Sequence, residues 1–240
     1  MIIMGTRYSN ISLWGVSQDE LLAYLSHINL DAYISPTING YTVLYDIAST
    51  GYPHNLPKII QTESNLKSIL RKYLNGQQAA MVCLSSHLSR QFSCSVLAVF
   101  VIDSLNLWYH LSCNGQMLDE YITWCDKQWQ PGQSMGKQTE GETQGGDSIK
   151  LCSAFGKEYA VLDIEKILRQ PVSLNFDSMK RHESLAKALG ISPCWVVGTN
   201  YLCCTGEDDF ESHYDSHQED NDPTYEQALI MIKKTLSHKT

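Results

Sequence analysis

Two adjacent cysteines and two histidines near the C-terminal end of the sequence have the residue types and spacing of a zinc site. They follow a Cys-Cys-x8-His-x3-His pattern and are Cys203, Cys204, His213 and His217. Thiolate and imidazole are good zinc ligands, and the His-x3-His spacing is common in zinc sites. The apolar segment 194–204 predicts a strand, in which adjacent side chains point to opposite faces. A small zinc-binding protein and a buried strand end followed by solvated histidines are both open hypotheses.

A second group of candidate residues lies on two strands that are joined by an Asn-Gly turn at 114–115. A two-residue turn at this position places Trp108 opposite Tyr121. It also places His110 opposite Asp119. The two aromatic rings and the polar pair predict a concave ligand-binding face. The alternatives are a His–Asp pair that acts as a general base in a hydrolase or transferase, and an ordinary cross-strand contact.

Cys152 and His182 form a third pair of candidate groups. A cysteine nucleophile needs a lowered pKa, which a helix N-terminus or a cationic neighbour provides. Cys152 is predicted to lie beyond the first turn of a short helix that starts after Asp147. His182 falls on the apolar stripe of a later helix. The apolar neighbours of both residues favour core positions over a catalytic pair.

The sequence contains no motif that is typical of a cofactor site. It has neither GxGxxG nor GxxxxGK[ST], so the glycine-rich cradles of dinucleotides and nucleoside triphosphates are missing. It also lacks the HExxH motif of zinc proteases. We therefore expect no cofactor.

The charge of the chain is concentrated in one segment. The chain has 18 Lys and Arg against 26 Asp and Glu, a net charge of −8. Eight of the acidic residues lie in 207–222, and the rest of the chain is formally neutral. A nucleic-acid partner is not expected, because it would require a basic face. The acidic segment predicts a solvated linker, with a docking surface for a basic partner or a weak metal site as alternatives.

The chain is expected to be cytoplasmic and to have no membrane partner. Its N-terminus does not resemble a secretory signal. The longest apolar run, 96–102, is far shorter than the roughly 20 residues that a membrane helix needs. The eight cysteines lie mostly in apolar patterns, so we predict that they are reduced and act as small hydrophobic side chains.

The pattern of elements predicts an α+β fold with a largely antiparallel sheet. Three strands over 95–124 form a meander, which is expected to pack against several helices. Residues 1–206 are predicted to form a single domain, with a subdivision near 126–146 at a Gln- and Gly-rich loop. The acidic linker 207–222 and a C-terminal helix over 223–240 follow.

Several stretches resemble a family of uncharacterised bacterial cytosolic α+β proteins. The resemblance is one of overall pattern and covers most of residues 5–207; it lies in GTRYSNISLWGV (5–16), AYISPTINGYTVLYD (32–46), VLAVFVIDSLNLWYHL (96–111), LDEYIT (118–123), GGDSIKLCSAFG (145–156) and RHESLAKALGI (181–191). No activity is assigned to that family. The resemblance therefore implies a single α+β unit and no site residues.

These observations together favour a non-catalytic protein that binds a protein or a small molecule. The missing catalytic motifs, the acidic segment and the aromatic strand face support this interpretation. An enzyme that uses the His110–Asp119 pair and a zinc-binding protein are the alternatives.

Overall fold

The computed structural model describes residues 7–46, 55–64, 66–73, 76–102, 106–124, 142–172, 177–198, 220 and 222–235. The strands are β1 (Tyr8–Trp14), β2 (Ala32–Ile34), β3 (Tyr41–Asp46), β4 (Ser95–Ile102), β5 (Asn106–Cys113), β6 (Gln116–Trp124), β7 (Glu142–Gly145) and β8 (Lys233–Lys234). The α-helices are α1 (Gln18–His27), α2 (Lys58–Glu63), α3 (Leu66–Lys72), α4 (Gly76–Gln91), α5 (Ser148–Ala154), α6 (Val161–Leu168), α7 (Ser178–Leu189) and α8 (Tyr225–Met231).

Within these ranges the strands form one antiparallel sheet. Their order across the sheet is β7-β6-β5-β4-β1-β3-β2-β8, and each neighbouring pair is antiparallel. The predicted meander is present as β4, β5 and β6. The α+β fold class and the antiparallel sheet are therefore confirmed.

Local sequence signals account for several of the elements. At the start of α1, Ser17 and Glu20 form a capping box in which each side chain binds the backbone N–H of the other residue. Asp177 caps α7, which ends at Gly190 in the left-handed conformation. The tight turn between β5 and β6 has positive φ angles at both Asn114 and Gly115. In the described part of the chain, no helix is long and apolar enough to cross a membrane.

Helices cover both faces of the sheet, and each face has its own apolar core. The α4 face includes Phe100 and Trp108, which are buried in a cluster with residues of α1 and α4. The α7 face includes Val99 and Tyr109, which are buried with residues of α5, α6 and α7. Because side chains alternate along a strand, neighbouring residues of the meander belong to different cores.

The register between β5 and β6 differs from the one expected from a simple two-residue hairpin. A β-bulge between Leu111 and Ser112 shifts the pairing by one residue. As a result, His110 lies opposite Glu120, and the predicted pairing of His110 with Asp119 is wrong. Beyond the bulge, this shift moves each side chain of β6 to the face of the sheet opposite to the one predicted. The two carboxylates have therefore exchanged faces relative to the sequence prediction.

The predicted strand over 194–204 is also wrong where the structure describes it. It begins as a π-helical turn that packs in the α7-face core. Side chains of the sheet bind the carbonyl groups of this turn. Asn10 Nδ2 donates to the carbonyl of Val196 at 2.7 Å, and the hydroxyl of Tyr45 donates to that of Trp195. These bonds satisfy backbone groups that a strand would pair with a neighbouring strand, so tertiary contacts override the β propensity.

The C-terminal helix is shorter than predicted. Instead of continuing through 223–240, the helix α8 ends at Met231 and the chain then pairs with β2 as β8. The N-terminus of α8 is capped by Thr224 and Gln227. Most of the predicted acidic linker 207–222 lies outside the described residues.

Strand β7 lies within the segment that was predicted to be a Gln- and Gly-rich loop. Glu142–Gly145 pairs with β6 at the edge of the sheet. Residues 125–141 lie outside the described residues, so the subdivision near 126–146 and the other domain boundaries stay predictions.

Candidate functional site

A pocket of about 410 Å³ opens beside the meander, between α3, the start of α4 and strands β5 to β7. This volume lies in the range of small-molecule sites. The residues that line it include Lys72, Tyr73, Gln78, Trp108, Glu120 and Gln144. Most of these side chains are aromatic or can form hydrogen bonds.

The carboxylate of Glu120 organises the polar part of the pocket. Trp108 Nε1 donates to Glu120 Oε1 at 3.1 Å, and Lys72 Nζ donates to Glu120 Oε2 at 3.2 Å. Lys72 Nζ also lies 2.8 Å from the hydroxyl of Tyr73. Burial, with a further contribution from Glu120, raises the pKa of Tyr73, which therefore stays neutral. The charges of Lys72 and Glu120 compensate each other, so the polar cluster has no net charge.

The aromatic rings of the pocket are nearly perpendicular. The ring centroids of Tyr73 and Trp108 are 6.2 Å apart, with an angle of 79° between the planes. Gln78 and Gln144 line the same pocket, and no hydrogen bond to either side-chain amide occurs among the described residues. The pocket thus offers the edges of two aromatic rings together with amide groups that can donate and accept hydrogen bonds.

The structure divides the side chains of the predicted binding face between the two faces of the sheet, although Trp108 and Tyr121 both line the pocket. Trp108 and His110 lie on the α4 face, and their rings stack with centroids 6.1 Å apart. Asp119 and Tyr121 lie on the α7 face, where Asp119 Oδ2 accepts a hydrogen bond from the hydroxyl of Tyr109 at 2.6 Å. Trp108 is only 2% exposed, so it forms part of a covered core and contributes an edge to the pocket.

His110 is buried next to this pocket. Its Nε2 lies 3.4 Å from Ser86 Oγ, and its Nδ1 has no hydrogen-bond partner in the described part of the chain. Burial lowers the pKa of His110 to about 4, with Lys72 adding to this effect and Glu120 opposing it. A serine nucleophile would need a histidine whose second nitrogen is held by a carboxylate. Among the described residues, no carboxylate holds this second nitrogen of His110.

Lowering the pH from about 7 to about 5 is expected to destabilise the protein through two buried histidines. Burial lowers the pKa of His182 to about 3 and that of His110 to about 4, both from 6.5. Below 6.5 the unfolded chain binds protons that the folded chain does not, so stability falls as the pH falls toward the folded-state values. The slope is up to about 1.4 kcal/mol per histidine per pH unit.

Urea midpoints at the two pH values measure this dependence. His182→Gln should reduce this dependence, to which His110 still contributes, whereas His27→Gln, a matched control at an exposed histidine, should leave it unchanged. An equal pH dependence in all three proteins would contradict the assignment.

The other sequence-predicted sites are not assembled in the described residues. Cys203, Cys204, His213 and His217 all lie outside them, and no group of three or more potential metal ligands occurs within them. Burial raises the pKa of Cys152, which lies in the α7-face core.

The partner of His182 is Tyr8 rather than a cysteine. The hydroxyl of Tyr8 lies 2.8 Å from Nδ1 of His182. This finding agrees with the core positions expected for Cys152 and His182.

The Gln- and Gly-rich segment also contains a serine motif that is found in some hydrolases. Residues 132–136 read Gly-Gln-Ser-Met-Gly, which matches GxSxG. The motif indicates a serine nucleophile only where a strand leads through it into a helix. The segment lies outside the described residues.

No family model, no curated protein and no solved structure matches the chain. The resemblance to a bacterial family therefore stays a prediction, and function is inferred from the residues and their geometry.

Proposed function

We propose that the protein is a non-catalytic binding protein whose ligand is a small, planar, uncharged molecule with hydrogen-bonding edges. The observation that carries this proposal is the pocket between α3, α4 and the meander, with its perpendicular rings and its neutral polar cluster. The ring edges that Trp108 and Tyr73 contribute favour a planar ligand, because aromatic edges pack against the face of a flat ring. The compensated charges of Lys72 and Glu120 favour a neutral one.

The amides of Gln78 and Gln144 supply the specificity in this proposal. Each amide carries two donors and one acceptor group, which suits the edge of a heteroaromatic ring. Such pockets combine apolar surface with a few polar groups that orient the ligand. The enzyme alternative receives less support, because the residues that were expected to form the His–Asp pair lie on opposite faces of the sheet.

We further propose a cytoplasmic location. Five cysteines in the described residues carry free thiols, which a reducing compartment preserves; they are Cys83, Cys94, Cys113, Cys152 and Cys194. A nucleic-acid partner is not part of the proposal, because the net charge is −8.

Nicotinamide, adenine and uracil are suitable probes of the pocket because they are planar, neutral and rich in hydrogen-bonding groups. At least one of them is expected to show saturable binding by ligand-observed NMR. Gln144→Ala should weaken this binding, because Gln144 is an exposed residue whose amide lines the pocket. Saturable binding by none of the probes, or binding that Gln144→Ala leaves unchanged, would contradict the proposal.

Lys72→Met tests the role of charge compensation. It leaves Glu120 without its cation, so the pocket should then favour a positively charged ligand. The variant is expected to bind the cation benzamidine about fivefold more tightly than neutral nicotinamide. This ratio corresponds to about 1 kcal/mol for a solvated pair of charges. Lys166→Met, which removes an exposed lysine of α6, is the matched control and should leave the preference unchanged.

A further inference from the structure

A second polar cluster lies on the same face of the sheet and joins α1, α2 and α4. The hydroxyl of Tyr24 lies 2.5 Å from Nε2 of His87. On the other side of the imidazole ring, Nδ1 of His87 lies 2.9 Å from Oε2 of Glu63. Three residues from three helices thus form a continuous chain of hydrogen bonds from a hydroxyl through an imidazole to a carboxylate.

The carboxylate determines which nitrogen of His87 carries the proton. Since ionised Glu63 can only accept, Nδ1 of His87 donates to it, and Nε2 is left to accept from the hydroxyl of Tyr24. This is the order of groups that activates a hydroxyl nucleophile, because the imidazole takes the proton and the carboxylate stabilises the resulting cation.

The three residues of this hydrogen-bond chain differ in their exposure to solvent. His87 is 4% exposed, whereas Tyr24 is partly exposed and the side chain of Glu63 is 40% exposed. Arg90 lies 3.5 Å from the same oxygen of Glu63, and the ring of Phe92 packs edge-on against Tyr24. The base is thus shielded from water, while the tyrosine keeps part of its surface exposed.

Tyr24 is a neutral phenol in this environment. Burial, with a smaller contribution from Glu63, raises its pKa. A phenolate is therefore not present in advance at neutral pH, and the proton must leave during nucleophilic attack. His87 Nε2 is already in the position to receive it.

We propose that Tyr24 is a base-activated nucleophile that accepts an acyl group from an activated acyl donor, such as an acylimidazole or an active ester. The phenol oxygen attacks the carbonyl carbon and forms a new C–O bond while its proton passes to Nε2 of His87. The bond between the carbonyl carbon and the leaving group then breaks with its electron pair. The leaving group takes the proton from His87, so that an O-acyl tyrosine and the protonated leaving group are the products.

Acetylation by N-acetylimidazole tests the proposal on the full-length protein. Peptide mass spectrometry over time gives a rate for each tyrosine. Tyr159 is the internal reference because it is 79% exposed and represents an unassisted phenol. Tyr24 is expected to react roughly tenfold faster than Tyr159 despite its lower exposure, since general-base assistance contributes that much or more. A rate for Tyr24 that is equal to or lower than that for Tyr159 would overturn the proposal.

Variants of the hydrogen-bond chain separate activation from accessibility. Glu63→Gln keeps a hydrogen-bond acceptor but removes the charge, so it should lower the rate at Tyr24 roughly tenfold without a change in melting temperature. Glu63→Asp should restore part of the rate. His87→Gln should abolish the advantage over Tyr159, and Tyr24→Phe should remove the modification at that site.

Glu165→Gln is the matched control for Glu63→Gln. The side chain of Glu165 is 44% exposed and pairs with an arginine, as Glu63 does, but it lies on α6. It should leave the rate at Tyr24 unchanged. If His87→Gln fails to fold, Glu63→Gln alone tests the proposal, because Glu63 lies at the surface and its substitution should leave the fold intact. An unchanged rate in correctly folded Glu63→Gln would overturn the proposal.

Discussion

Trp108→Ala is expected to lower the free energy of unfolding by about 3–5 kcal/mol, the cost of removing a large aromatic side chain from a packed core. The indole ring is 2% exposed and packs in the α4-face core with Phe100. Its Nε1 also donates to Glu120, so truncation removes a donor from the carboxylate as well. Denaturant unfolding, with midpoints compared at matched slopes, measures the loss.

Leu107→Ala provides the comparison on the opposite face of the same strand. Leu107 is fully buried in the α7-face core, and its truncation should cost about 2–5 kcal/mol. Since helices cover both faces, the two substitutions are expected to destabilise the protein to a similar extent. A loss of less than about 1 kcal/mol for Trp108→Ala would instead place Trp108 on an open binding face.

Trp108→Phe separates the hydrogen bond from the packing. It retains an aromatic ring, so it should cost less than the alanine variant. It still removes the indole N–H, so Glu120 loses one of its donors, and the expected cost is about 1–3 kcal/mol. A cost equal to that of Trp108→Ala would show that the N–H group rather than ring volume dominates.

The parts of the fold that local signals determine could be predicted from the sequence. The capping box of Ser17 and Glu20 depends on four consecutive residues. The turn at 114–115 depends on two residues that tolerate positive φ angles. A continuous run of apolar residues identifies strand β4 of the meander, because both of its faces are buried. These signals need no knowledge of distant parts of the chain.

The composition of the candidate site could not be predicted in the same way, because distant contacts determine it. Asp119 accepts hydrogen bonds from the hydroxyl of Tyr109 and, at 2.8 Å, from the backbone N–H of Asp147. Both donors lie on the α7 side, and the second is 28 residues away in sequence. These bonds stabilise the bulged register, which places Glu120 rather than Asp119 beside His110.

The pocket is also lined by residues that belong to no recognisable sequence pattern. Lys72 and Tyr73 lie at the end of a short helix, and Gln144 lies on an edge strand of four residues without apolar alternation. Strand β7 is held by main-chain pairing to β6 and by Arg169, which donates to the carbonyl of Gly145 at 2.9 Å. Main-chain pairing of this kind leaves little trace in the sequence.

Gly145→Ala is expected to detach β7 from the sheet and to destabilise the protein by about 2–5 kcal/mol. Gly145 has a φ angle of +72°, and a Cβ atom there would lie 2.0 Å from the backbone carbonyl oxygen of Glu120. The left-handed conformation costs an L-residue about 1–2 kcal/mol, and the overlap adds about 1–3 kcal/mol. A backbone oxygen in a paired strand cannot move aside as the end of a flexible side chain can.

Gly156→Ala is the matched control for this substitution. Gly156 also has a positive φ angle, +63°, but nothing lies within 4 Å of the position of its Cβ. It should therefore cost only the conformational strain of about 1–2 kcal/mol. Denaturant midpoints give both losses, and amide hydrogen exchange in β6 should increase in Gly145→Ala alone. Because Gly145 and Gln144 form one wall of the pocket, the same variant should lose ligand binding even where the rest of the fold persists. Equal costs for the two substitutions, with unchanged exchange in β6, would show that β7 does not pair with β6 as described.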